Sequence, residues 1–390
     1  MIPRPVRRAW DALTSLKLTI VCLALLMVLV IACTLAQTTM GTLGAVNAYI
    51  RSFLVWWEVP GSAWRIPVAP GGGLVGLVLT LNLVAAQAKR LELSWKKAGL
   101  WIVHAGLILL FVGEFVTSAF QVETQLTIEE GQTLNYVESP RDLELALVDV
   151  TDPGHDEVYA VPESRLARQG AIAIPGTPIQ LRVKGYYQNA ELANRGPADP
   201  PSPANMGVGA MVSVRPMPPE ASDELQNRRA AFVEPVAGGR SYGTWLVSNA
   251  LGAPQSFIHE GHTFVLSMRP RRQYLPYAIT LKKFSHDVYP GTDIPKNFSS
   301  LVHLSNPSRG EERDVLIFMN QPLRYAGKAF YQASFGKGDT LSVLQVVENP
   351  GWLLPYVSCV LVGAGLIVHF ALVLRRSLKR RHSAAMLEAA

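Results

Sequence analysis

Four long apolar runs interrupt an otherwise polar chain, at about Leu16 to Ala36, Gly71 to Ala88, Ala98 to Val116 and Trp352 to Leu374. Each offers the roughly 20 residues that an α-helix needs to cross a hydrocarbon core. Between the third and fourth lies a polar stretch, Thr117 to Pro350, with no comparable run. Within it, the segments Ile179–Tyr187, Thr263–Arg269, Tyr277–Phe284, Asp314–Met319, Ala329–Ser334 and Leu341–Val347 are rich in β-branched and aromatic residues and bounded by Gly, Pro, Asn or Asp. That pattern predicts strands. The fold class expected is an integral membrane α-helical protein of four spans with a β-rich extracytoplasmic domain, sandwich-like or an open barrel. In chain order this gives a cytoplasmic N-terminus 1–15, a first span 16–36, an outer loop 37–70, a second span 71–88, a cytoplasmic loop 89–97, a third span 98–116, the β-rich domain 117–350, a fourth span 351–374 and a cytoplasmic basic tail 375–390. The Pro-rich interval Asn189 to Asn205 predicts a mobile loop or insertion. With no linker at either end, the β-rich domain is expected close to the membrane surface.

Charge fixes the orientation of this scheme. The formal net charge is +6, yet the segments placed inside, counted with Lys17 at the inner edge of the first span, hold thirteen basic residues against Asp11, Glu92 and Glu388, while the β-rich domain is net acidic. The surplus therefore follows the positive-inside rule and does not point to nucleic acid. Cys22, Cys33 and Cys359 all fall in the apolar runs, and no C-x-x-C occurs, which excludes a thioredoxin-like carrier and a c-type cytochrome. Val30-Ile-Ala-Cys33 resembles a lipoprotein cleavage box, but the run before it is long enough for a retained span. Trp56, Trp57 and Trp64 of the outer loop suit an interfacial aromatic belt, with contact to a flat ligand as the alternative.

Of eight histidines, only His104 and His369 lie in spans. Each is about six residues, or about 9 Å, inside the inner boundary, so the two are expected at one depth. A facing His pair on two helices is an arrangement that ligates haem iron, here haem b, and an ionisable residue inside a span is a functional candidate by default. Trp101, His104, Ile108, Phe111 and Phe115 share a helix face that suits the flank of a porphyrin. Gly99, Gly106 and Gly113 recur on nearly the opposite face, as for close helix packing, and Gly365 would leave room beside His369. Against this stands the ordinary reading, a span histidine bonded to a neighbouring helix. Lys89, Arg90, Lys96 and Lys97 read first as topology charges and secondly as partners for haem propionates. Glu114 reads as interfacial. His259-Glu-Gly-His262 is too short for a helical zinc motif and adjoins a predicted strand. His155, His286 and His303 are isolated, and no catalytic triad or phosphate loop occurs, so hydrolytic and phosphoryl-transfer chemistry lack support.

Several motifs carry a resemblance. Leu13-Thr-Ser-Leu-Lys-Leu-Thr opens the first span and Cys33-Thr-Leu-Ala-Gln37 closes it; Trp101-Ile-Val-His104-Ala-Gly through Gly113 fills the third. Tyr289-Pro-Gly-Thr292, Pro295, Phe298 and Ser300 follow, then Met319-Asn-Gln-Pro-Leu323, Tyr325, Gly327 and Phe330-Tyr-Gln-Ala333. In these the chain resembles the ResB (CcsB) proteins of System II cytochrome c biogenesis, in the same order of segments. The resemblance implies a non-enzymatic subunit of a haem-handling complex in a bacterial inner membrane. It also implies a ResC/CcsA-type membrane partner with a tryptophan-rich segment, and apocytochrome c as the acceptor of exported haem. The family's in-membrane ligand carries over to His104 alone. Two other functions compete: a b-type cytochrome with His104 and His369 on one haem, and a haem-free scaffold.

Overall fold

The computed structural model describes residues 4–59, 62, 64–90, 94–197, 199–219, 227–252, 254–291 and 295–388. Thr292 and Glu92 lie outside them, as does Ala198 of the Pro-rich interval, and the side chains of Arg90, Lys96 and Glu388 are likewise not described. The described residues divide into a helical unit, within 4–121 and 349–388, and a β-rich unit, within 122–219 and 227–348.

Among the described residues of the helical unit a short helix, Arg4–Leu13, precedes four helices long and apolar enough to cross a membrane: Leu16–Ala45, Gly72–Arg90, Ala98–Phe120 and Leu354–Glu388. The interval read as an outer loop at 37–70 carries helix and strand in its described residues. The first apolar helix continues past its apolar run because the Thr38 and Thr39 hydroxyls donate to the Leu35 and Ala36 carbonyls and follow the helix rather than compete with it. It breaks at Gly41, whose φ of +71° an L side chain rarely adopts, and ends in a wide turn at Val46–Arg51. An antiparallel hairpin, Leu54–Glu58 with Arg65–Pro70, follows, with Glu58 and Arg65 paired at 2.7 Å. Its Trp56 and Trp57 are exposed, as is Trp64. Cys22, Leu29, Val55, Val75 and Leu79 form the core between the first two helices, and Phe111 of the third packs against it. The three cysteines are free thiols, Cys22 and Cys33 buried as small apolar residues.

The β-rich unit is organised on two long antiparallel strands, Thr133–Asp149 and His262–Val288. At one end they belong to a sheet ordered Glu311–Phe318, Pro295–Asn306, His262–Val288, Thr133–Asp149, Val122–Glu129, Leu341–Glu348, Lys328–Gly336, Leu323–Tyr325. A bridge between Phe318 and Gln321 nearly closes this sheet on itself. Its interior holds Leu126, Ile128, Val137, Ile279, Leu281, Val302, Leu304, Phe330 and Val346. The period-2 alternation of Leu341–Glu348, inward at Ser342, Leu344 and Val346, is the sequence cause. At the other end the same strands pack against a second, five-stranded sheet, with Leu145, Leu147, Phe264 and Leu266 facing Leu181, Val183, Ala231 and Val233. The sandwich arrangement thus describes one half and a nearly closed barrel the other. Where the two cores meet, the ladder bulges and Arg269–Glu144 and Arg272–Glu138 pair at 3.0 and 2.9 Å, with Tyr136 under the Arg272 guanidinium.

Part of the interval Asn189 to Asn205, read as a mobile loop or an insertion, is strand. Residues 190–194 form a strand with Val212–Pro216, and Ala190 and Ala204 are buried beside Phe232 and Leu246. Isolated alanines leave too short a pattern to reveal packing from sequence.

One exposed cluster is expected to make the barrel's stability depend on pH. His303 donates from Nδ1 to Asp314 at 2.6 Å and from Nε2 to Glu312 at 2.8 Å, tying adjacent strands. Both bonds exist only in the imidazolium. Asp314 and Glu312 hold the His303 pKa above its ordinary value. Its contribution is therefore complete below the unfolded-state value, about 6.5, and fades as pH rises through the higher folded value. Lys282 and His303 depress Asp314, and Ser305 and His303 depress Glu312, so those contributions are lost on acidification through the carboxylate range. The urea midpoint of wild type should exceed that of His303→Gln most at about pH 6 and converge on it in alkali. Parallel curves across that range would contradict the assignment.

Candidate functional site

The third and fourth helices place the two span histidines. Their seam is made of glycines: Gly99, Gly106 and Gly113 are buried, and a Cβ on Gly99 would lie 2.4 Å from the His369 nitrogen and 2.7 Å from the Gly365 carbonyl oxygen. Gly365 would likewise meet the Val103 nitrogen at 2.7 Å, so the space expected beside His369 is filled by the third helix. Ser358 Oγ donates to the Gly106 carbonyl at 2.7 Å inside this seam. Small residues let the backbones meet where lipid supplies no hydrophobic drive between helices.

That seam separates the histidines. At 100° per residue, His104 stands about 140° around the third helix from Gly99 and about 160° from Gly106, on the face away from the fourth helix. The His369 backbone lies at the level of Gly99, five residues from His104, or about 7.5 Å along the axis. The pair therefore shares neither a face nor one depth, and a two-histidine clasp between these helices is not formed. The His369 ring sits beside Phe370, with centroids 5.7 Å apart.

The His104 imidazole is held in one orientation. Its Nδ1–H donates to the Leu100 carbonyl one turn back at 2.6 Å, which fixes the tautomer and directs the lone pair of Nε2 outward. The ring is half-buried, with Trp101, Ile108 and Phe111, also half-buried, and exposed Phe115 on its side of the helix. Of the basic residues read as propionate partners, Lys89 is already engaged, with Asp11 at 2.5 Å and Thr14 Oγ1 at 3.1 Å. Glu114 is exposed near the end of the third helix.

The histidines of the β-rich unit have structural partners. His259 and His262 flank a two-residue turn with positive φ at Glu260 and Gly261, their Nδ1 atoms bonded to Tyr242 Oη at 2.5 Å and Asp149 at 2.7 Å. His155 pairs with Asp152 and His286 with Asp339. No group of three or more metal-ligating side chains occurs among the described residues. Several residues of the motifs between 289 and 333 also have structural roles. Ser300 is buried and bonded to Gln332 and Ser342, Leu323 and Phe330 fill the barrel, and Gly327 closes a tight turn at φ +78°. Sequence reasoning could not separate these from a binding site, because a buried serine bonded across strands looks like any other serine in a motif.

Comparison with known proteins agrees with the motifs. Residues 253–343 match the model of the ResB-like family, within the β-rich unit. Protein NrfI of Wolinella succinogenes is 23% identical over 293 residues, which cover 74% of this chain and 29% of that relative. The chain thus spans less than a third of the length of that relative.

Proposed function

We propose that this chain, ResB-like through residues 253–343, serves cytochrome c biogenesis as a haem-handling subunit of a bacterial inner-membrane complex. The four apolar helices cross the membrane with both termini in the cytoplasm, and the β-rich unit lies outside. Haem is cargo here, and its iron needs an axial nitrogen. His104 supplies that nitrogen through Nε2, while Leu100 holds the imidazole in the required tautomer. The observation that carries this reading is the His104 imidazole itself, directed away from the glycine seam and bonded through Nδ1 to the Leu100 carbonyl, which leaves Nε2 for a metal. The second axial ligand, on this account, comes from a ResC/CcsA-type partner rather than from His369. The partner then passes haem to apocytochrome c, and the present chain makes and breaks no covalent bond itself. A b-type cytochrome with both ligands in this chain fits less well, since His104 and His369 do not face each other.

The test is the level of mature c-type cytochromes in cells carrying the full chain with single substitutions. His104→Ala should reduce it to background, with partial recovery on added imidazole, and His369→Ala should leave it near wild type. An unchanged level in His104→Ala would remove haem handling from this residue and favour the scaffold.

A further inference from the structure

The N-terminal helix Arg4–Leu13 is segregated by side. At 100° per residue, Arg4, Arg7, Arg8 and Asp11 fall within an arc of about 100°, and Pro5, Val6, Ala9, Trp10, Ala12 and Leu13 occupy the other side. None of this helix is buried; Val6 is 55% exposed and Trp10 43%. A short helix with an uncovered apolar side is not stable alone in water.

Its attachment is built. The chain turns at Thr14 and Ser15, where Ser15 is extended and caps the first apolar helix by accepting from the Lys17 amide. The break leaves carbonyls without helical N–H partners. Asn82, 2% exposed on the second helix, supplies them by donating Nδ2 to Leu13 at 2.5 Å and to Ser15 at 3.1 Å, and its Oδ1 accepts from Thr19 at 2.6 Å. Lys89 adds its bonds to Asp11 and Thr14. Five bonds thus fix the elbow to the second helix.

We infer that Arg4–Leu13 is an interfacial anchor, seated on the cytoplasmic leaflet with Val6 and Trp10 among the acyl chains and Arg4, Arg7 and Arg8 on anionic headgroups. This rests on the membrane reading above. The occupant follows from continuity and charge: the helix runs without a linker into one that crosses the bilayer, and its arginines complement an anionic leaflet. Trp and Arg also suit the interface, where an amphipathic helix buries its apolar side about 5–10 Å deep.

The test uses the full chain in nanodiscs of phosphatidylcholine alone or mixed with phosphatidylglycerol, with Cys22, Cys33 and Cys359 replaced by Ser. Nitroxides are placed at Val6→Cys, Trp10→Cys, Arg8→Cys and, on the fourth helix, Ile367→Cys, and oxygen and nickel accessibilities give their depths. Labels at 6 and 10 should lie about 5–10 Å below the phosphates, the label at 8 in water. Depth at 6 should be greater with phosphatidylglycerol, and the gain should vanish in Arg4→Gln/Arg7→Gln/Arg8→Gln. Equal depth in both lipids overturns the headgroup assignment. Water exposure at 6 and 10, or spin–spin broadening from a second copy, overturns the anchor. A water-exposed label at 367 instead overturns the membrane reading and the anchor with it, which distinguishes the two failures.

Discussion

Gly99→Leu should force the third and fourth helices apart and destabilise the helical unit more than any other single substitution along the seam. Even the first added carbon meets three backbone atoms of the fourth helix, the His369 nitrogen at 2.4 Å, its Cα at 2.6 Å and the Gly365 carbonyl oxygen at 2.7 Å. Backbone cannot rotate away as a side chain can, so the helices themselves must move. Overpacking of this kind costs about 1–3 kcal/mol for a modest intrusion and more for a large one. Gly363, on the same fourth helix, is the internal control, because a Cβ there meets nothing within 4 Å. Unfolding in detergent mixtures should therefore rank Gly99→Leu well below Gly99→Ala, and Gly363→Ala near wild type. Equal resistance of Gly99→Leu and Gly363→Ala would show that these helices do not pack as described.

The second large effect belongs to the barrel. Phe330 is 0% exposed and sits among Leu323, Val302, Ile317 and Val346 at the centre of the nearly closed sheet. Truncation to Ala removes an aromatic side chain from a site with no water route, and such changes cost about 3–5 kcal/mol. That is a large fraction of the net stability of a domain. The expected result is a clear loss in the urea midpoint of the β-rich unit, followed in the full chain by circular dichroism. The exposed aromatic Trp57 on the hairpin gives the contrast, where Ala should cost little in the same experiment. A small effect at Phe330 would mean that the barrel interior is not packed as drawn.

Much of this was legible from patterning, and the reasons for the rest are physical. The apolar runs announce the four helices because crossing lipid demands an unbroken apolar stretch, but hydropathy marks where lipid would end rather than where a helix ends. Thr38 and Thr39 are polar yet helical, and Arg375–Arg381 continue the fourth helix as solvated residues. The glycine spacing at 99, 106 and 113 announced a seam, whereas its partner helix is a tertiary fact that only the contacts with Gly365 and Ser358 supply. Counting residues from the basic ends put His104 and His369 at one depth, since it assumes that both helices meet the boundary alike. The strand segments were readable from β-branched and aromatic alternation. The joining of two cores on one long strand pair was not, because Thr133–Asp149 carries the bulge-forming Ser139-Pro-Arg-Asp142 in its middle and reads as two pieces. The residue type drew attention to His104, and its bond to the Leu100 carbonyl, on which the proposed ligand role relies, became visible only in the structure.

The central claim is that His104 presents Nε2 to haem iron and that His369 does not complete the pair within this chain. The most direct measurement is the Soret absorbance of the purified full chain, obtained with a co-expressed ResC/CcsA-type partner, for wild type, His104→Ala and His369→Ala. The account predicts a haem band in wild type and His369→Ala that is lost in His104→Ala and regained on adding imidazole. A band that survives in His104→Ala, or that disappears in His369→Ala while protein yield is unchanged, would contradict it.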